Sequence, residues 1–158
     1  MKKSVRFLLL SLAVPLILGA LAGLLTLEGL DQYAQLNRPA AAPAQRLFPL
    51  ILNALYLLMG VSAWLVWKSQ APETKAGLLL YAVQLAVAFI WLLLFFTARA
   101  YLLSLLWLLL LLAAVIAMIA LFYQVSKIAA WLQAPYLLWL LFAAYLNLAL
   151  WLFNPGPA

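Results

Sequence analysis

The sequence predicts an all-α integral membrane protein, a five-transmembrane-helix bundle forming one membrane domain over residues 1–158. Of its 158 residues 71% are hydrophobic and only 8% are charged, a balance suited to lipid rather than water. Five apolar runs, at about 7–27, 47–67, 77–96, 101–123 and 136–153, have the length to cross a hydrocarbon core of roughly 30 Å at about 1.5 Å of rise per residue. On three of them aromatic, amide and small residues recur at steps of three and four, which places them on one helical face.

The first run follows a short basic head, Met1 to Arg6. A secretory signal would start in the same way, but its apolar region has about 7 to 15 residues, so this longer run is expected to be a retained span. Ser11, Pro15, Gly19, Ala22 and Thr26 line one face, a small-residue stripe suited to close helix packing, and Gly19 with Gly23 forms a GxxxG. Residues 28–46 are the most polar stretch; Pro39 and Pro43 make it a loop, with room for a short helix over 29–36.

The second run, Leu47 to Trp67, contains no charge. Asn53, Tyr56, Gly60, Trp64 and Trp67 share a narrow stripe. Lipid tails cannot pair with an amide or a phenol, so the stripe is expected to face other helices or a cavity. Lys68 to Lys75 is a tight polar connection. In the third run Tyr81, Gln84, Ala88 and Trp91 repeat the pattern, and Arg99 then marks an interface turn over 97–100. The fourth run carries a smooth ridge of Ala113, Ala117, Ala120 and Gln124, expected to contact another helix. After a turn over 124–135, Tyr136, Trp139, Ala143, Asn147 and Leu150 form the third polar-aromatic stripe, and Asn154 to Pro157 ends the helix.

Charge and composition narrow the chemistry. The absence of Cys and His removes disulfides, thiolates, imidazole bases and the commonest transition-metal ligands. Glu28, Asp31 and Glu73 are the only acids and all fall in connections, so no carboxylate is expected at membrane depth to relay protons or hold a metal. No cofactor, no metal and no enzymatic activity are therefore expected. The net charge of +6 comes from scattered cations, which suits membrane topology better than nucleic acid. Lys2, Lys3, Arg6, Lys68, Lys75 and Lys127 fall on one side and Arg38, Arg46 and Arg99 on the other, which predicts a cytoplasmic N-terminus and an external first loop and C-terminus in the plasma membrane of a bacterium. Trp67, Tyr101, Tyr123 and Tyr136 lie near span ends and are expected to be interface anchors.

The order of these features resembles the TspO/MBR family, the translocator and tryptophan-rich sensory proteins also called peripheral-type benzodiazepine receptors. The resemblance runs from about Tyr33 to Trp151 through Leu36-Asn37-Arg38-Pro39, Phe48-Pro49, Leu55-Tyr56 with Met59-Gly60, Tyr81 with Gln84-Leu85 and Trp91, Phe95-Phe96 with Arg99, Tyr123-Gln124, Pro135-Tyr136 with Trp139, and Leu146-Asn147. It implies a five-helix bundle, often dimeric, with a pocket capped by the first loop that takes porphyrins or haem, sterols or benzodiazepine-like ligands. By matching position it implies Tyr56, Trp91, Ala143, Leu146 and Asn147 around that pocket. Ala40, Ala41, Arg46 and Leu52 stand where the family has tryptophans, so its aromatic lid is expected to be largely missing, and Val83 and Val87 replace the small residues of its dimer seam.

The functional expectation is a receptor or translocator for a flat, hydrophobic, porphyrin-like or sterol-like ligand, with Gln84, Tyr81 and Trp139 joining the five residues above. The rival is a structural or scaffolding membrane protein whose stripes only pack helix against helix.

Overall fold

The computed structural model describes residues 2–44 and 46–154, so Pro155 to Pro157, expected to terminate the last helix, lie outside the described residues. The regular structure of the described residues is all helix: α1 Lys2–Leu25, α2 Leu27–Tyr33, α3 Leu47–Ser69, α4 Thr74–Leu92, α5 Tyr101–Val125, α6 Lys127–Leu132 and α7 Ala134–Phe153. Five segments are long and apolar enough to span, the last being α6 and α7 together. The protein is thus an all-helical, multi-pass integral membrane protein.

Local chemistry explains where the helices begin and end. Gln70 takes a left-handed conformation (φ 56°) that terminates α3, and Arg99 (φ 53°) does the same in the turn before α5. The turn expected over 124–135 is instead mostly helix. Only Ser126 is extended, and its Oγ accepts from the Ala129 amide at 3.3 Å, capping α6. Pro135 sits in the first turn of α7, where a missing N–H costs nothing. Between α4 and α5 a π turn, Leu93–Thr97, continues the third span beyond its expected end and buries Phe95 and Phe96, neighbours in sequence, together.

Packing follows the small residues. α1 lies chiefly on α3, α4 on α5, and α5 on α7, with α6 wedged against α3 and α5; α1 and α4 touch only lightly. Ser11, Pro15, Ala22 and Thr26 are buried, as their stripe predicts. Gly60 makes the α1–α3 crossing close: a Cβ there would lie 2.6 Å from the Ser11 carbonyl oxygen and 2.9 Å from Leu12 Cα.

Asn53 is exposed but faces a cavity as its stripe predicts, lining a cleft between α1 and α3 with Gly19 and Gly23. The expectation for α5 fails: the ridge of Ala113, Ala117, Ala120 and Gln124 is exposed, while Leu108, Leu111, Val115, Met118 and Phe122 face inward. The smooth partner is α4: a Cβ on Gly77 would stand 3.2 Å from the Phe122 ring.

Single polar clamps join the helices. Trp64 Nε1 donates to Ser4 Oγ (3.1 Å), Ser62 Oγ to the Ala129 carbonyl (2.7 Å), Trp107 Nε1 to the Val87 carbonyl (2.9 Å) and Tyr81 Oη to the Ser11 carbonyl (3.4 Å). Each such bond within a membrane is worth about 0.6 kcal/mol on average.

The glycines of α1 and α3 should respond oppositely to alanine. Gly60→Ala must push α1 off α3 and is expected to cost about 1–3 kcal/mol. A Cβ at Gly23 meets nothing within 4 Å, so Gly23→Ala should be neutral or stabilise by up to about 1 kcal/mol through helix propensity. Thermal melts in detergent separate the two; equal melting temperatures would contradict the crossing described.

Candidate functional site: the intrabundle cavity

The site is built where α3, α4, α5 and α7 approach one another. Leu52 and Tyr56 come from α3, Ala88, Trp91 and Leu92 from α4, Leu111 from α5, and Tyr136, Trp139 and Leu140 from α7. They enclose a void of only about 10 Å³. Beside it, a cleft of about 180 Å³ opens between α1 and α3, lined by Gly19, Gly23, Thr26, Phe48, Asn53 and Phe96, among others. Leu52, Tyr56 and Leu92 line both spaces, so these three side chains form the partition between them. Gly19 allows this arrangement, since a Cβ there would run into the Tyr56 ring.

Hydrogen bonding separates the polar residues into two groups. Tyr136 Oη donates to Gln84 Oε1 at 3.1 Å, linking α7 to α4 in the fully buried core. Gln84 Nε2 and Trp139 Nε1 are buried and have no hydrogen-bond partner among the described residues. Both are donors. Asn147, in contrast, is engaged: turned so that its nitrogen donates to the Tyr101 carbonyl at 2.8 Å, its oxygen accepts from Ser104 Oγ at 3.0 Å. That pair clamps α7 to α5. Gln133 is also buried with an unpartnered amide, but it sits at the α6–α7 bend and lines neither space.

The sequence-derived residues therefore divide. Tyr56, Trp91 and Trp139 line the inner void, and Gln84 lies one turn from Ala88 and holds Tyr136. Ala143 and Leu146 are buried on α7, Ala143 one turn from Asn147 on the face that meets α5; neither lines the void. Tyr81 is buried but points to α1 rather than into the void. Tyr136, expected to be an interface anchor, is instead a buried wall of the site. Its place in the same stripe as Trp139 and Ala143 was the signal that favoured the interior. Tyr123, with Lys127 Nζ 5.7 Å from its ring, does stand exposed at the end of its span.

The end of the bundle beneath the first loop is closed by Tyr33, Phe48 and Phe96, which carry the family resemblance but stand at positions other than those of its tryptophan lid. Tyr33 of α2 meets Phe48 edge-on at 5.2 Å and Phe96 at 6.2 Å; Phe48 in turn meets Phe96 at 5.6 Å and Trp139 at 5.7 Å. Such edge-to-face contacts suit aromatic quadrupoles. α2 reaches this position because Gly29 lets it rest on the Phe96 backbone. The Tyr33 hydroxyl donates to the Pro43 carbonyl at 3.2 Å, and the Arg38 guanidinium lies 5.1 Å from the ring. Burial pushes the Tyr33 phenol above its ordinary pKa, while Arg38 pulls it down. A reciprocal latch completes the cap: the Asn37 amide donates to Asn154 Oδ1 at 2.9 Å and Asn154 Nδ2 donates to the Asn37 carbonyl at 3.0 Å.

Comparison with known proteins agrees with this architecture. A family model described as the TspO/MBR family matches residues 11–152. The chain is 39% identical over 132 residues to the Translocator protein of Sus scrofa, covering 82% of this chain and 78% of that one. Protein CrtK of Rhodobacter capsulatus is 35% identical over 127 residues, or 78% of this chain and 79% of its own. Tryptophan-rich protein TspO of Chlorobaculum tepidum is 32% identical over 127 residues with the same coverage of 78% and 79%. With five spans, a capped bundle interior and matches that extend across them, this chain belongs to the TspO/MBR family.

Proposed function

We propose that this TspO-type membrane protein binds a flat hydrophobic ligand inside the bundle, of the porphyrin or haem, sterol or benzodiazepine-like class, and acts as a receptor or translocator rather than as an enzyme. The observation that carries the reading is the pair of buried, unpartnered donors, Gln84 Nε2 and Trp139 Nε1, beside the aromatic walls of Trp91, Tyr56 and Tyr136. Inside a bilayer an unsatisfied N–H costs several kcal/mol, so a donor kept without a protein partner calls for an acceptor from elsewhere. Carboxylates, carbonyls and hydroxyls all qualify. The inner void is too small for such a ligand as it stands. Displacing Tyr56, Leu52 and Leu92, the shared partition, joins it to the cleft between α1 and α3, which gives an entry route from the lipid. Catalysis is disfavoured by the lack of His and Cys in the chain and of an acid within the spans.

One observation favours the rival scaffold: Ala143, Leu146 and Asn147 are closely packed in the bundle and Asn147 is fully engaged with α5. The two readings separate at Trp139. Purified protein titrated with protoporphyrin IX, and separately with cholesterol, should show saturable quenching of its seven tryptophans with at least one of them. Trp139→Phe keeps an aromatic ring but removes the donor together with part of the indole, so it should weaken that binding by about tenfold, roughly 1.4 kcal/mol, with a smaller effect on melting temperature. Unchanged affinity in the variant, or no saturable binding of either probe, supports the scaffold instead.

We further propose the plasma-membrane orientation with the N-terminus inside, supported by six cations on that side against three on the other. Because the chain has no native Cys, Ala40→Cys in the exposed first loop gives a single label site. An impermeant thiol reagent should modify it in intact cells; protection until lysis would reverse the topology.

A further inference from the structure

A third space, larger than the inner void and its neighbouring cleft, lies apart from the intrabundle site. It is a groove of about 530 Å³ between α1 and α4, whose mutual contact is light. Phe7, Leu10, Val14 and Leu18 form one wall and Leu78, Ala82, Leu85, Ala86 and Phe89 the other, with Ser11 and Tyr81 at its floor. The Phe7 ring is fixed by stacking on Trp67 at 4.5 Å and 9°.

The two walls run parallel, since one span and one connection separate each change of direction and α1 and α4 are the first and third spans. Their register follows from the bond between Tyr81 Oη and the Ser11 carbonyl. Lys3 lies eight residues before Ser11 and Lys75 six residues before Tyr81, so each stands about 9–12 Å below that bond, at the same end. Helical periodicity also sets their faces. Lys3 precedes Phe7 by four residues, and Lys75 precedes Leu78 by three and Ala82 by seven, so each lysine continues the groove-facing stripe of its own helix. Both are exposed. The other described lysines at this end are engaged elsewhere: Lys68 Nζ lies 5.2 Å from the Trp64 ring and Lys127 over Tyr123. Glu73 is the only acid on this side of the chain.

An apolar channel that ends in two cations at the membrane surface is complementary to a molecule with an acyl chain and an anionic head. We infer that this groove is a binding site for an anionic phospholipid, one acyl chain lying between α1 and α4 and the phosphate held by Lys3 and Lys75. The inference is independent of the intrabundle ligand. Its occupant is neither buried in the bundle nor in contact with Gln84 or Trp139.

Native mass spectrometry of the full chain released from detergent, titrated with dioleoyl phosphatidylglycerol or dioleoyl phosphatidylcholine, tests the assignment. The anionic lipid should bind more tightly, and each of Lys3→Gln and Lys75→Gln should reduce its affinity by about fivefold, the usual contribution of one cation near an anionic lipid. In the double variant the two lipids should bind alike. Ala86→Phe, at an exposed position of the groove wall, fills the channel and should remove the first adduct of both lipids. Leu10→Trp does the same from the opposite wall should Ala86→Phe fail to fold. Equal affinity of the unaltered protein for the two lipids overturns the site, as does an anionic preference that survives the double lysine change. So does a two-copy species that Ala86→Phe abolishes while the single chain takes up no lipid, since the groove would then belong to a second copy.

Discussion

No water reaches the hydrocarbon core, so each N–H, O–H and C=O there must find its partner inside the protein, and the arrangement of this bundle depends on that requirement. Backbone groups satisfy it through helices. Side chains satisfy it through a small set of clamps: Ser4 with Trp64, Ser62 with Ala129, Val87 with Trp107, Gln84 with Tyr136, and Ser104 with Asn147. Individually these bonds are weak. Their value lies in register, because a helix displaced by one residue would leave the side-chain donor unpaired in lipid. Against that background an unpartnered donor is conspicuous; Trp139, which lines the inner void, carries one, and so does Gln84, which holds Tyr136 of its wall.

The bundle is closed at one end and loosely joined along one side. At the first-loop end, the cap of Tyr33, Phe48 and Phe96 and the latch between Asn37 and Asn154 tie the first loop to the end of α7, so access from that face requires several contacts to break together. Along the lipid-facing side the barrier is lower. Gly19 and Gly23 thin the wall of α1, and only Tyr56, Leu52 and Leu92 divide the cleft from the inner void. For a ligand already dissolved in the bilayer, the route between α1 and α3 avoids the aqueous phase altogether.

Much of this was legible in the residues. The stripe of Tyr81, Gln84, Ala88 and Trp91, and that of Tyr136, Trp139, Ala143, Asn147 and Leu150, turn inward, all buried except the half-buried Trp139, because lipid rejects their amides and phenols and the 100° step of the helix then aligns them. Periodicity identifies which residues share a face, but not which face points inward when both are apolar. The Ala113, Ala117, Ala120 and Gln124 ridge shows this, since it is exposed while the bulky side of α5 packs against α4, Phe122 lying on Gly77. Nor does a regular period anticipate the π turn that buries Phe95 beside Phe96, or the single extended residue Ser126 that splits α5 from α6. The aromatic cap was hidden for a different reason. Tyr33, Phe48 and Phe96 come from three separate segments, and only their folding together places them over the cavity.

The central claim is that the Trp139 indole N–H is held without a protein partner so that a ligand can supply one. Nitrogen-15 labelling of tryptophan places it beside internal controls, since Trp64 and Trp107 donate to Ser4 Oγ and to the Val87 carbonyl. In the ligand-free spectrum the Trp139 indole proton should lie upfield of those two. On saturation with protoporphyrin IX or cholesterol, whichever binds, it should move downfield to join them while they stay in place. A Trp139 resonance already at the hydrogen-bonded position, and unmoved by a ligand that binds, would contradict the claim.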